Sequence, residues 1–451
     1  MDSTKSILSS ARRFFSGTLL SRITGMLRDI SMAFAFGTGE SVAAFFIAFR
    51  LAHLLRRLLG EGALQSAFIP KFEELRSDNP ERACRFFCDL YGLLTLVLVG
   101  IIAFAALTLG GVLKIFEINP SNREIITLSL LLTPSLLFIC LYGLNASILQ
   151  CEKCYFLPSV APAAFNVVWI IGALILCWTQ PESPMIWLSY FVAIACFCQW
   201  LITLPKTMKI LYQHGIFQPW RRFDILSKDL ALLAKPLFLG FVGVAAGQIN
   251  NALDPLFARY ASSEGPALLW YAIRIQQLPL ALFGIALSGA LLPPLTRALK
   301  AGDHSRYHAY LRFSIRQCLW IMIPMTLALF FFGKQGIQWI YCRGHFTEQS
   351  VTGTAQCLWA YSWGLLPMSL VLLLAPAYYA QGNYAVPAGA SLISMILNVS
   401  LNSLMVIGLG LGPASVALAT SISSWVNLVL LAALFKRSYA STPVPLADER
   451  L

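Results

Sequence analysis

Twelve long apolar stretches constrain the fold of this chain more than any other feature of its sequence. A helix crosses about 30 Å of hydrocarbon with about 20 apolar residues. The stretches lie near residues 14–36, 42–70, 90–113, 125–150, 157–178, 184–205, 236–258, 267–294, 317–333, 355–381, 386–409 and 412–435. We therefore predict an all-α polytopic membrane protein with about twelve transmembrane helices.

The charge content excludes a soluble fold. Of 451 residues, 12% are charged and 57% are hydrophobic, whereas about a quarter of a soluble domain is charged. Surface-to-volume scaling requires a soluble protein of this size to cover its core with polar residues. A cytosolic enzyme, a secreted disulfide scaffold and a disordered chain are therefore excluded.

Lysine and arginine are distributed unevenly over the connections between the stretches. The N-terminus, the even-numbered connections and the C-terminal tail carry 22 of them, and the opposite connections carry five. Cytoplasmic loops of membrane proteins hold this excess, so we predict that both termini are cytoplasmic. The net charge of +12 is dispersed among short loops, which makes nucleic acid an unsuitable partner.

Nine charged residues remain inside the predicted spans. At about 2.5–3.5 kcal/mol each, facing lipid would cost on the order of 27 kcal/mol in total, more than the roughly 5–15 kcal/mol by which folded proteins are stable. Most of these side chains must therefore face a hydrated cavity or pair with one another. They are the cations Arg22, Arg28, Arg50, Arg56, Arg57 and Arg274 and the acids Asp29, Glu61 and Asp254.

The excess of cations in this set predicts an anionic ligand. Arg57 and Glu61 are four residues apart, and Arg22 and Asp29 share one helical stripe, so internal pairs explain part of the set. Six cations against three acids leave three positive charges uncompensated. The planar fork of arginine suits phosphate oxygens in particular.

An internal repeat divides the chain into two halves. Spans 2 and 8 align at an offset of 224 residues, which pairs Arg50 with Arg274, and a looser echo pairs Asn166 with Asn398. Two lobes of six helices in the same orientation, around a central cavity, are typical of alternating-access transporters. We predict an N-terminal lobe at 1–205, a cytoplasmic linker at 206–235, a C-terminal lobe at 236–435 and a cytoplasmic tail at 436–451.

Four sequence blocks carry a resemblance to a known family. They are SRITGMLRD at 21–29, AFFIAFR at 44–50, RRLLGEGA at 56–63 and WYAIR at 270–274. They resemble the signatures of the MurJ/MviN family of lipid II flippases, within the MOP transporter superfamily. The resemblance runs from about residue 5 to residue 435.

The resemblance implies a transporter and no enzyme. Such a protein flips lipid II, the undecaprenyl-diphosphate-linked peptidoglycan precursor, from the cytoplasmic to the outer leaflet of the bacterial inner membrane. It implies that Arg22, Arg28, Arg56 and Arg274 bind the diphosphate, and the charge count adds Asp29, Arg50, Arg57 and Glu61 to the substrate site. As partners we expect lipid II, membrane lipids and proteins of cell-wall synthesis, and we expect a monomer.

The chain departs from the family pattern at two acids. Ala44 stands where the family commonly has Asp, and Ile273 stands where it often has an acid. Both departures make the cavity more positive and remove candidate gating partners. Members typically have fourteen spans, against the twelve predicted here.

The energy source follows from the charge of the substrate. A membrane potential contributes about 2.3 kcal/mol per charge per 100 mV, so two diphosphate charges gain on the order of 5 kcal/mol. A cation gradient, of Na⁺ or H⁺, is the other expected source, and we expect no further cofactor. Some family members place sodium on spans 7 and 11, which implies Asp254, Asn398 and Asn402 as ligands, with Thr420 added from span 12. Hydrogen bonding of the asparagines across a helix interface explains them equally well.

Three other classes of function are the alternatives, and one of them is a pseudo-transporter that serves as a scaffold. A related MOP flippase for polysaccharide-linked lipids accepts the same charge, whereas a multidrug exporter for cations should line its cavity with acids. A membrane-embedded transferase needs clustered acids at a membrane face. The acids at residues 73, 74, 78 and 81 alternate with basic residues, as in a solvated surface.

Overall fold

The computed structural model describes residues 4–59, 63–216, 224, 227–284, 291, 294–299 and 301–440. Within these ranges fourteen α-helices have defined bounds. In chain order they are α1 (Thr4–Phe36), α2 (Glu40–Leu59), α3 (Ala63–Asp78), α4 (Pro80–Ile115), α5 (Pro120–Leu132), α6 (Ser135–Cys151), α7 (Phe156–Thr179), α8 (Pro184–Gln213), α9 (Lys228–Ala261), α10 (Gly265–Pro279), α11 (His304–Tyr341), α12 (Glu348–Ala380), α13 (Ala385–Asn402) and α14 (Ala414–Ala440).

Over the described residues, each predicted span falls on one helix or on two consecutive helical segments. The helices α2 and α3 fall in the second predicted span, and α5 and α6 fall in the fourth. Of the described helices, α4, α7, α8, α11, α12, α13 and α14 are long and apolar enough to cross a membrane, and the pair α5–α6 adds an eighth such span. The all-α membrane fold predicted from hydropathy is therefore confirmed.

Four of the described helices that do not meet this criterion carry intramembrane charge. Of the nine charged residues that the sequence places inside the membrane, all but Glu61, which lies outside the described residues, are in α1, α2, α9 and α10. Charged residues lower the apolarity of a helix, which then depends on packing against other helices. Charge is thus concentrated on a few helices.

Proline and π-helical turns interrupt several spans. The pair α5–α6 bends by 42° where Pro134 follows Thr133. The proline ring has no N–H for the preceding turn and clashes with its carbonyl group. Leu280–Gly284, directly after Pro279, and Ser403–Gly408, directly after α13, are π-helical. Such stretches widen the helix locally and are frequent at functional sites.

The chain packs as two compact units. The first comprises residues Met1–Pro255 with Ile340–Thr347, and the second comprises Leu256–Trp339 with Glu348–Leu451. In the first unit α1 packs on α7, α7 and α6 pack on α8, and α2 packs on α5. In the second unit α12 and α13 pack on α14, and α10 packs on α12.

The pairs of spans in contact recur between the units. In the first unit, span 2 packs against span 4, and span 6 packs against spans 4 and 5. In the second unit, span 8 packs against span 10, and span 12 packs against spans 10 and 11. This recurrence agrees with the internal repeat, and the lobe boundaries at 205 and 236 stay a prediction.

A glycine and a buried aromatic cluster bring α1, α2 and α7 together. A side chain at Gly17 of α1 would overlap the hydroxyl of Ser159 on α7, so the Ser159 side chain packs directly against the backbone of α1. Nearby, Trp169 is fully buried and meets the rings of Phe45, Phe49 and Phe165 edge to face, with ring centroids 4.9–5.6 Å apart. Such pairs are favourable beyond their buried area. Trp169 of this cluster also contacts Arg28, which belongs to the site described next.

Candidate functional site

Arg28 is the most completely held of the predicted site residues. It lies on α1, and 9% of its surface is exposed. Its Nη2 and Nε donate hydrogen bonds to Oδ1 of Asp29, at 2.8 and 3.2 Å. Asp29 is itself buried, at 4% exposure. The guanidinium also lies over the Trp169 ring, 5.0 Å from its centroid, so a charge pair and an aromatic face hold it together.

Asn166 of α7 completes the setting of Arg28. Its Oδ1 accepts a hydrogen bond from Nη1 of Arg28 at 3.1 Å. Its Nδ2 donates to the carbonyl oxygen of Ser21 and to the hydroxyl of Thr24, both at 3.1 Å. Each end of the amide is therefore used by α1, which fixes the orientation of the side chain. The sequence marked Asn166 only as the repeat counterpart of Asn398.

The guanidinium of Arg28 retains donors for a ligand. An arginine has five N–H groups, and the contacts to Asp29 and Asn166 use three of them. Within the described part of the chain, one N–H on Nη1 and one on Nη2 remain. Two neighbouring donors of this kind match two oxygens of a phosphate or diphosphate group.

Arg274 of α10 is held by a similar device. Its guanidinium lies 4.2 Å from the centroid of the Trp270 ring, one helical turn earlier, and the side chain is half-buried. An aromatic face stabilises a cation without using its N–H donors. Arg28 and Arg274 thus each combine an indole ring with a guanidinium, the first in the first unit and the second in the second unit.

The other predicted substrate residues differ in exposure. Arg22 is exposed on α1, whereas Arg50 and Arg56 are half-buried on α2. Nη1 of Arg50 donates to the carbonyl oxygen of Asn251 on α9, at 3.4 Å. The side chain of Arg57 and the whole of Glu61 lie outside the described residues. The acid Asp29 pairs with its chain neighbour Arg28, rather than with Arg22, which the helical stripe had suggested.

Three of the four predicted cation ligands meet in the second unit. Nδ2 of Asn402 donates to Oδ1 of Asn398 at 3.1 Å, and Nδ2 of Asn398 donates to the hydroxyl of Thr420 at 3.2 Å. Both asparagines are buried. The arrangement links α13 to α14 and places amide and hydroxyl oxygens in one cluster, which are ligands that a hard cation accepts. The fourth predicted ligand, Asp254, is buried on α9 in the first unit.

The described residues offer no classical metal centre. Within them, no three His, Cys, Asp or Glu side chains come together at a distance that would hold a metal ion. The cluster of Asn398, Asn402 and Thr420 contains only amide and hydroxyl groups, and its role as a cation site stays a prediction.

Fold and site together define a class of protein. Helices of membrane-spanning length, a repeated packing pattern and arginines held inside the spans describe a multi-pass membrane transporter for an anionic substrate. A solved inward-facing multidrug resistance MATE transporter of the MOP superfamily shares this fold. Its TM-score is 0.74 at 14% sequence identity, over 96% of this chain and 98% of that one.

Comparison of sequences identifies the family. The model of the family described as "Lipid II flippase MurJ" matches residues 32–447. A "Probable lipid II flippase MurJ" of Chlamydia trachomatis is 36% identical over 440 residues, which is 95% of this chain and 78% of that protein. A solved lipid II flippase MurJ in an inward closed conformation has a TM-score of 0.79 and 26% identity, over 94% of this chain and 87% of that one. The chain belongs to the MurJ family of lipid II flippases, and it is a multi-pass inner-membrane protein.

Proposed function

We propose that this chain carries lipid II from the cytoplasmic to the outer leaflet of the bacterial inner membrane. The observation that carries the proposal is the setting of Arg28, a buried arginine of α1 with two N–H donors remaining. The head of lipid II bears a diphosphate, whose oxygens accept such hydrogen bonds. Membership of the MurJ family supports the assignment of the remaining parts of the substrate.

The contacts of Arg28 suggest how the site cycles between empty and loaded states. Without substrate, Asp29 balances the charge of the guanidinium, which would otherwise be costly inside the membrane. When a diphosphate arrives, the two remaining N–H groups bind it while Asp29 and Asn166 keep the guanidinium plane in place. A neighbouring carboxylate also weakens the net attraction, so that the substrate can leave. Binding strong enough to load and weak enough to release is what transport requires.

The proposed substrate site also includes the other residues predicted from the sequence, which are Arg22, Asp29, Arg50, Arg56, Arg57, Glu61 and Arg274. The contact of its guanidinium with the Trp270 ring supports the assignment of Arg274 to this site. Exposure of Arg22 favours a role at the entrance to the site, where a solvated cation attracts the anionic head. With cytoplasmic termini, the excess of basic residues faces the compartment in which the precursor is made.

We further propose that the membrane potential drives the outward step and that a cation resets the empty carrier. Moving two negative charges out of a negative-inside cell gains on the order of 5 kcal/mol at 100 mV. The cluster of Asn398, Asn402 and Thr420 supports Na⁺ as the coupling ion, with Asp254 as a carboxylate ligand. We propose an alternating-access cycle carried out by a monomer, working beside proteins of cell-wall synthesis.

Labelling of lipid II from outside the cell tests the function. The chain is expressed as the sole flippase in a bacterium whose own flippase can be depleted. Spheroplasts are then treated with an enzyme that cleaves externally exposed lipid II. We expect cleavage to persist with the wild-type chain and to fall to background with Arg28→Ala at equal membrane abundance.

The matched control is Arg85→Ala. Arg85 lies on α4, is exposed and pairs with Glu81 at 2.7 Å, so its loss removes a positive charge without touching a span. Wild-type cleavage with Arg28→Ala would refute the role of Arg28. Background cleavage with the wild-type chain in correctly inserted form would refute lipid II as the substrate.

A further inference from the structure

A groove in the second unit is lined by residues other than the arginines described above. It has a volume of about 670 Å³, within the range of about 300–1,000 Å³ that is usual for small-molecule sites. From α11 it is lined by His304, Ser305, His308 and Arg312, and from α14 by Ala432 and Phe435. Neither the predicted substrate site nor the predicted cation site includes any of these residues.

The polar side of the groove is a stripe of basic groups. His304, His308 and Arg312 follow one another at intervals of four residues, so they lie on the same face of α11, about 5–6 Å apart. None of the lining residues is an acid. Asp303, which precedes the helix, pairs with Arg306 at 3.1 Å. Burial and then the nearby cations His304 and Arg312 lower the pKa of His308, as expected where positive charges crowd together.

The central histidine is held in place by packing. The ring of His308 meets the ring of Tyr307 edge to face at 5.1 Å. The hydroxyl of Tyr307 donates to the carbonyl oxygen of Ala377 at 2.9 Å and accepts from Nε2 of Gln381 at 2.8 Å. The side of the groove around His308 is therefore fixed by packing through Tyr307, and it carries a row of basic groups.

The position of the groove relates it to the membrane. Its α11 residues precede the predicted span 317–333 by 5 to 13 residues, and Phe435 is the last residue of the predicted span 412–435. Phe313 and Trp320, farther along α11, are exposed, as side chains that face lipid and its interface are. Both helices that line the groove therefore do so next to the end of a predicted span, where lipid headgroups lie.

We propose that this groove binds the phosphate of an anionic phospholipid headgroup. Arg312 supplies charge-assisted hydrogen bonds to the phosphate oxygens, the imidazole N–H groups of His304 and His308 supply further donors, and Ala432 and Phe435 contact the first carbons of the lipid. Basic pockets between transmembrane helices recognise anionic headgroups in this way. A bound lipid would bridge α11 and α14 and so stabilise the second unit.

The test measures lipid binding to the purified full chain in phosphatidylcholine nanodiscs. Short-chain phosphatidylglycerol is titrated, and the shift in unfolding temperature and the lipid retained in native mass spectrometry are recorded. We expect saturable binding to the wild-type chain. Arg312→Ala should bind about fivefold more weakly, as follows from about 1 kcal/mol per basic residue near an anionic surface, and His304→Gln/His308→Gln/Arg312→Ala should abolish binding.

Arg306→Ala is the matched control, because Arg306 is an exposed cation of the same helix, outside the groove lining and paired with Asp303. It should bind like the wild type. Arg312 is also exposed, so Arg312→Ala tests the proposal even where the triple variant does not fold. Equal binding by Arg312→Ala and Arg306→Ala would overturn it.

Two further titrations separate the possible sources of phosphate. Inorganic phosphate should give no shift at the lipid concentrations used, and a shift as large as that of the lipid would overturn the headgroup proposal in favour of a free anion. Undecaprenyl diphosphate should be no stronger a ligand than phosphatidylglycerol for this groove. Loss of undecaprenyl diphosphate binding alone in Arg312→Ala would assign the groove to the transported lipid and overturn the proposal. These experiments measure lipid binding and not flipping, so their outcome is independent of the proposed function.

Discussion

Asn166 on α7 accepts a hydrogen bond from Arg28 on α1 at 3.1 Å, across 138 residues of sequence. The same amide donates to the carbonyl oxygen of Ser21 and to the hydroxyl of Thr24 on α1. One side chain therefore joins α1 to α7 and sets the plane of a buried guanidinium. Positioning of the arginine depends on this bond, because a planar fork binds phosphate well only in the right orientation.

Replacing Asn166 should reduce transport more than stability. Asn166→Ala removes one acceptor and two donated bonds, and we expect about a tenfold loss of external lipid II cleavage at equal abundance, since a bond to a charged group contributes about 1.5–3 kcal/mol. Asn166→Asp keeps the acceptor for Arg28 but loses the hydrogen bond that Asn166 donates to the carbonyl oxygen of Ser21. Its added carboxylate neutralises Arg28, so we expect it to bind lipid II more weakly still in a purified binding assay.

Asn145→Ala serves as the control for Asn166. Asn145 is buried in the same unit and donates to Thr203 at 3.3 Å, so its loss tests a buried amide that holds no arginine. If Asn145→Ala and Asn166→Ala lower transport equally, Asn166 is a packing residue only.

The planar shape of Arg28 should matter as well as its charge. Arg28→Lys preserves the positive charge but loses the fork and part of the stacking on Trp169. We expect transport close to that of Arg28→Ala. The comparison is Arg85→Lys at the exposed pair with Glu81, which should behave like the wild type. Full transport by Arg28→Lys would show that only the charge is required.

The aromatic support of Arg274 should contribute to substrate affinity. Trp270→Leu removes the cation–π contact, which is worth about 0.5–2 kcal/mol, so we expect lipid II binding to weaken by roughly two- to thirtyfold. Trp270→Phe should have a smaller effect because it retains an aromatic face. Trp320→Leu changes an exposed tryptophan of the same unit and should leave binding unchanged. Identical lipid II binding by all three variants would show that Trp270 does not contribute to the substrate site.

Close approach of α1 and α7 should be sensitive to a single methyl group. Gly17→Ala places a carbon against Ser159, and overpacking of this kind costs about 1–3 kcal/mol. We expect a lower unfolding temperature in detergent, restored in part by Gly17→Ala/Ser159→Gly. No recovery in the double variant would mean that the clash lies elsewhere.

The cluster of Asn398, Asn402 and Thr420 makes a prediction about ions. If it binds Na⁺, the unfolding temperature should be higher in NaCl than in KCl, and Asn402→Ala and Thr420→Val should abolish the difference. Ser394→Ala is the control, because Ser394 bonds to the carbonyl oxygen of Ser423 in the same helix interface at 2.7 Å. Equal losses of stability in both salts would leave the cluster as an interhelical hydrogen-bond network.

Most of the fold could be predicted from sequence because hydropathy is a local property. Each apolar stretch encodes its own helix, since in lipid a helix satisfies all of its backbone groups internally. The bend at Pro134 and the π-helical turns after Pro279 and Asn402 were not predicted. They depend on how the backbone relaxes around a missing donor or a neighbouring helix.

The sequence by itself determined the helices, the excess of cations within them and the repeat, because these follow from composition and spacing along one chain. It could place Arg28 on a helix, but only the tertiary structure decided that Asn166 and Trp169 hold it. Likewise Thr420 joins Asn398, and α14 closes the groove beside His308, through contacts between helices far apart in sequence. Helical periodicity fixes the face on which a side chain lies, whereas its partner depends on which helix packs against that face.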